Sequence, residues 1–95
     1  MVQNFVVVRV SEVSEYPSSQ ERGNTVRKQN LILRELEGEK ANAYSATVWN
    51  EQIQPVKPGD LVTASLRFSV TERNSVYYQE INIREMMVWQ RSSNK

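Results

Sequence analysis

The chain contains no cysteine and no histidine. The first absence excludes disulfides and thiolate-held metals. The second removes Ser-His and Cys-His nucleophilic pairs and imidazole–metal sites, because each needs an imidazole or a thiolate. The 11 acidic residues sit in no recognisable acid–base motif. The expectation is a non-catalytic protein with no metal and no cofactor.

Long hydrophobic runs are also missing. None approaches the ~20 residues that would span a bilayer. The start "MVQNFVVVRV" lacks the basic stretch and long apolar core of a signal peptide. A cytoplasmic protein with no membrane partner is therefore expected. Charge of one sign is absent as well: 12 basic and 11 acidic residues leave a net charge of +1. Such a balance gives no global field to draw in polyanions, so any nucleic-acid binding must rest on a local patch. With 95 residues the chain is one domain by length, expected over residues 1–91 with a frayed tail at 92–95.

What is present is β pattern. Blocks of strand-forming residues recur between turn-forming clusters. The first, "NFVVVRVSEVSEY", is apolar on both faces: Val6, Val8 and Val10 share one, and Phe5, Val7 and Arg9 the other. Strands apolar on both faces have both covered. Phe5 and Val7 are accordingly read as an outer apolar edge and the candidate interface of a homodimer or higher homo-oligomer. After the polar loop "PSSQERGN", "TVRKQNLILREL" sets Leu31 and Leu33 against Lys28, Asn30, Ile32 and Arg34. "NAYSATVWNEQI" places Tyr44, Ala46 and Val48 inward, with Ser45, Thr47 and Trp49 outward.

The fourth block, "VKPGDLVTASLRFSV", carries the cleanest signal: Val62, Ala64, Leu66, Phe68 and Val70 alternate with polar residues, the period-2 signature of a half-buried strand. "TERNS" then turns, with Asn74 and Ser75 at its tip. "VYYQEINIREMMVWQ" closes the set with Ile81 and Ile83 inward. Five long strands in so short a chain predict a closed or nearly closed barrel in which one strand serves two sheets. The Pro58-Gly59-Asp60 corner marks where the chain crosses that barrel. It reads as architecture, since one glycine makes no anion-cradling loop.

This succession resembles the OB-fold of the bacterial single-stranded-DNA-binding protein family. The specific part runs from Val48 to Ile83: "VWNEQI", then Lys57-Pro58-Gly59-Asp60-Leu61-Val62, then a hairpin leading into Glu80-Ile81-Asn82-Ile83. The "KQNLIL…VKPGDLV" rhythm also resembles small uncharacterised OB-fold proteins from Bacteroidetes. The resemblance implies an all-β, five-stranded Greek-key barrel that binds single-stranded DNA or RNA. Pro55 and Pro58 shorten or remove the family's helix between strands three and four. The family's base-stacking tryptophans would fall near Gln29, Ala43 and Arg73, none of them aromatic.

Binding single strands takes a cationic groove and flat rings. The candidate contacts are Lys28, Arg34, Trp49, Arg67, Arg73, Tyr77 and Tyr78, flanked by the loops "QERGNTVRK" and "TERNS". The arginines are interleaved with Glu35, Glu72, Glu80 and Glu85, so cross-strand charge pairing is a competing explanation for them. Trp49 and Trp89 also have a second reading as packing groups at the barrel ends. The alternative from another class is a protein-interaction or structural OB module that binds no nucleic acid.

Overall fold

The computed structural model describes residues 2–17, 23, 25–36 and 41–92. They form six strands: β1 (Val2–Val10), β2 (Ser14–Pro17), β3 (Thr25–Glu35), β4 (Ala43–Trp49), β5 (Leu61–Arg73) and β6 (Val76–Gln90). Among these residues the one helical element is a 3-10 turn, Asn50–Gln52, which stands where the shortened helix was expected. No helix among them is long and apolar enough to cross a membrane.

The sheet order is β1-β5-β6-β4-β3-β2, and β1 also pairs with β3, so the sheet closes on itself. The β4–β6 contact is parallel, through a single bridge between Thr47 and Asn82; the other ladders are antiparallel. This is the closed barrel that the strand pattern predicted, in the five-stranded Greek-key order that the resemblance implied, with β2 as an added flap on β3. The first sequence block is thus two strands, not one.

Alternation places the core well on β3, β4 and the first half of β5. Leu31, Leu33, Ala46, Val48, Val62, Ala64, Leu66 and Ile83 are all buried. The face assignment of β1 is corrected. Phe5 and Val7 are 0% and 1% exposed; they are core, not an outer edge, and offer no surface to a second copy. Four consecutive apolar residues give period-2 reasoning nothing to choose between. Closure between β3 and β5 made the choice, and the Phe5 ring packs edge-on against Tyr44 at 5.9 Å. A register shift between Val7 and Arg9 then turns Val10 inward opposite buried Leu31. Val8 is left exposed.

The second correction concerns β5. Phe68 and Val70 do continue the inward alternation, yet they are 42% and 67% exposed. The β1 partner of β5 ends with Val2 opposite Ser65, so β5 and β6 run on beyond the barrel as a two-stranded arm. Tyr44 touches Phe68 at 6.1 Å between ring centres and links the arm's inner side to the core. The arm closes through Asn74 and Ser75, at φ 51° and 65°. Two positive φ values in a two-residue loop are the type I′ geometry that matches strand twist.

The Pro58-Gly59-Asp60 corner is a knot of backbone bonds. The Gly59 N–H donates to the Val7 carbonyl (2.8 Å) and the Val7 N–H to the Asp60 carbonyl (2.9 Å). The fully buried Asp60 carboxylate accepts from the N–H groups of Lys57 (3.0 Å) and Ser92 (2.6 Å). Gly59 sits at φ +98°, and a Cβ there would lie 2.7 Å from the Ser92 hydroxyl. Only glycine meets both demands. Ser92, expected in the tail, is thereby held to the corner; residues 93–95 lie outside the described ones.

Candidate nucleic-acid interface

The outer faces of β2, β3, β4, β6 and β5 form one continuous curved surface. Residues directly opposite on neighbouring strands point to the same side, so the ladder partners map that surface. Lys28 pairs with Ser14 on β2 and with Trp49 on β4. Thr47 bridges to Asn82 on β6, and Asn82 pairs with Arg67 on β5. Three of the expected contacts, Lys28, Trp49 and Arg67, therefore gather around Asn82.

Their local geometry is specific. The Trp49 indole N–H donates to the Asn82 side-chain oxygen at 2.7 Å, which pins the ring by its edge. The Lys28 ammonium stands 5.9 Å from the Trp49 ring centre and 5.8 Å from that of Tyr16, within cation–π range of both. Tyr16, opposite Val26 on β2, lies on the same outer side.

The remaining candidates spread outward from this centre. Arg34 lies six residues along β3 from Lys28, about 20 Å at ~3.3 Å per residue. Arg73 lies equally far along β5 from Arg67, at the tip of the arm. Tyr78 pairs with Thr71, on the side that carries Arg67 and Arg73. Tyr77 pairs with Glu72 and faces the other way, beside Phe68 and Val70. Of the expected loop arms, "TERNS" is the tip of the hairpin, whereas Gln20, Glu21, Arg22 and Asn24 lie outside the described residues.

Charge pairing does not account for these cations among the described residues. The ion pairs there are Arg27 with Glu15 (3.8 Å) and Arg91 with Asp60 (3.6 Å). Glu35 is engaged elsewhere: it accepts from the Asn42 N–H and the Gln3 side-chain amide, both at 2.8 Å. Those two bonds, the Asn42 one foremost, hold its carboxyl below the ordinary range. Lys28, Arg34, Arg67 and Arg73 thus have no carboxylate within ion-pair distance among the described residues.

Sequence reasoning missed Tyr16 and Asn82. Asn82 was visible as an uncharged amide between Glu80 and Arg84 on an outward face, the residue type that fixes a neighbouring ring. Tyr16 was hidden because "SEVSEY" was read as the end of strand one and not as a separate flap. Gln29, near the family's stacking position, is buried and donates to the Ser11 carbonyl at 3.0 Å, so that position faces the core.

No family model and no curated protein matches the sequence; the likeness to small Bacteroidetes proteins gains no support from them. Among solved structures, the second OB-fold domain of replication protein A from Methanococcus maripaludis superposes with a TM-score of 0.67 at 23% identity. The alignment covers 98% of this chain and 86% of that one. The two chains share the OB-fold.

Proposed function

We propose that this protein binds single-stranded nucleic acid, DNA before RNA, along the outer face of β2, β3, β4, β6 and β5. The observation that carries the reading is the cluster around Asn82: an edge-pinned indole beside Lys28, with Arg67 across the ladder from Asn82 and neither cation paired to a described carboxylate. Cations without carboxylate partners attract phosphates, and a held aromatic ring accepts any base, since every base has a flat π face. Arg34 and Arg73 add cations farther along β3 and β5, which run in the same direction. A domain of a replication protein has the same fold, which is consistent with the reading. Binding of this kind holds and orients a strand; it needs no bond-making group.

The test is a fluorescence-anisotropy titration of a labelled single strand of ~30 nucleotides, long enough for the ~4–16 nucleotides one OB-fold covers. It is run at low and at near-physiological salt, with tryptophan emission followed in parallel. Saturable binding that weakens steeply with salt and quenches emission is expected. No binding at low salt and tens of micromolar protein overturns the reading.

A second reading, a protein-interaction module, is favoured by another part of the outer surface, where β1 joins β5. There Val2 and Met87 are 71% and 61% exposed on the outer surface of β1, β5 and β6. A light-scattering mass of twice the monomer's, with no oligonucleotide binding, would favour it.

A further inference from the structure

Tyr16, Lys28 and Trp49 form an arrangement that phosphate binding alone does not require. One ammonium lies 5.8 Å from one ring centre and 5.9 Å from another, so the two centres are no more than about 12 Å apart. In the sheet β3 lies between β2 and β4, so the strands that carry the two rings flank the one that carries Lys28. A base that takes the ammonium's place there has an aromatic ring to either side.

The two walls differ in rigidity. Trp49 is half-buried on a central strand and pinned by Asn82 at 2.7 Å. Tyr16 sits on β2, a four-residue strand exposed throughout and paired with β3 alone. One wall is set and the other is free to adjust to what enters.

We propose that Tyr16 and Trp49 are the two walls of a base-stacking clamp that the Lys28 ammonium occupies when the protein is free. The inference rests on the nucleic-acid reading above and deepens it: the base meets a second ring, Tyr16, and not Trp49 alone. A stacked base outweighs a cation–π contact at an exposed site, so the base displaces the ammonium. Lys28 then swings to the neighbouring phosphate, where a charge-assisted hydrogen bond replaces what it lost. Duplex bases are already stacked on each other and cannot enter, so the clamp itself selects single strands. Lys28 is a gate as well as a phosphate contact.

The experiment compares two probes of equal length, an oligothymidylate and a fully abasic strand, against the full chain and three variants. Wild type binds the base-bearing strand more tightly. Tyr16→Leu weakens that binding about 5- to 150-fold, the worth of one stack, and does not weaken abasic binding, for which it only frees Lys28; Tyr16→Phe, which keeps the ring, binds like wild type. Lys28→Met weakens the abasic strand more than the base-bearing one, because for the latter it also removes the competitor. Tyr16→Leu variants that bind both probes as wild type does, or lose both equally, overturn the clamp and leave the groove standing. Equal losses for Lys28→Met on the two probes overturn the gate. Failure of wild type to bind either probe overturns the groove and the clamp together.

Discussion

At the scale of single residues, Asp60 tests the corner. Burial pushes its carboxyl up, but the N–H groups of Ser92 and Lys57, then the charges of Arg91 and Lys57, more than offset this and hold it below its ordinary range. A depressed carboxylate contributes stability that is full above its unfolded pKa and lost as pH falls through the folded one. Each oxygen of Asp60 faces an N–H donor, so an Asn amide nitrogen would be turned against one of them. Asp60→Asn is expected to cost about 2 kcal/mol near neutral pH. The gap to wild type should narrow below about pH 4, read from urea unfolding across that range. Glu35, whose carboxyl is also held low, leaves some acid dependence in the variant. The role of this corner was legible from its three residue types. Its buried carboxylate was not, because Asp60 is charged and its partners lie at Lys57 and, far along the chain, Ser92.

At the scale of elements, the β5–β6 arm stands on its turn. Ser75 holds φ 65°, a left-handed conformation that costs a residue with a Cβ roughly 1–2 kcal/mol. Glycine removes that cost and gives back about 0.5–1 kcal/mol in chain entropy. Ser75→Gly should therefore raise stability by about 0.5 kcal/mol, a shift of roughly 2–4 °C in Tm, seen by thermal melting. Oligonucleotide affinity should stay as it is, because Ser75 is none of the proposed contacts. The strands other than β2 and the inward rows of β3 and β4 follow from alternation, and the turn at Asn74-Ser75 from its residue types, all local properties. How far the arm projects does not. Phe68 and Val70 alternate as faithfully as Val62 and Ala64, and only the end of β1 opposite Ser65 decides that they face solvent.

At the scale of the whole molecule, a net charge of +1 means that binding must come from placement, not total charge. Lys28, Arg34, Arg67 and Arg73 each release counterions when they meet phosphate. For single strands the slope of log affinity against log salt is about −0.7 per neutralised phosphate, so all four together give a slope near −3. Replacing Arg34 or Arg73 with Ala should shallow it by about 0.7 and weaken binding alike for all sequences. A slope that either variant leaves unchanged removes that residue from the proposed contacts.

By itself the sequence determined the fold class and most of the inward rows. It also excluded disulfides and sites that need a thiolate or an imidazole, since alternation, turn residues and missing histidine and cysteine are properties of the string. The tertiary structure decided which face of β1 is core. It made Phe5 and Val7 interior where an open strand would have shown them. It also brought Tyr16, Lys28, Trp49, Asn82 and Arg67, spread over more than fifty positions, onto one surface. The physical reason is closure: a barrel fixes register between strands distant in sequence, and register, not composition, sets which side chains meet.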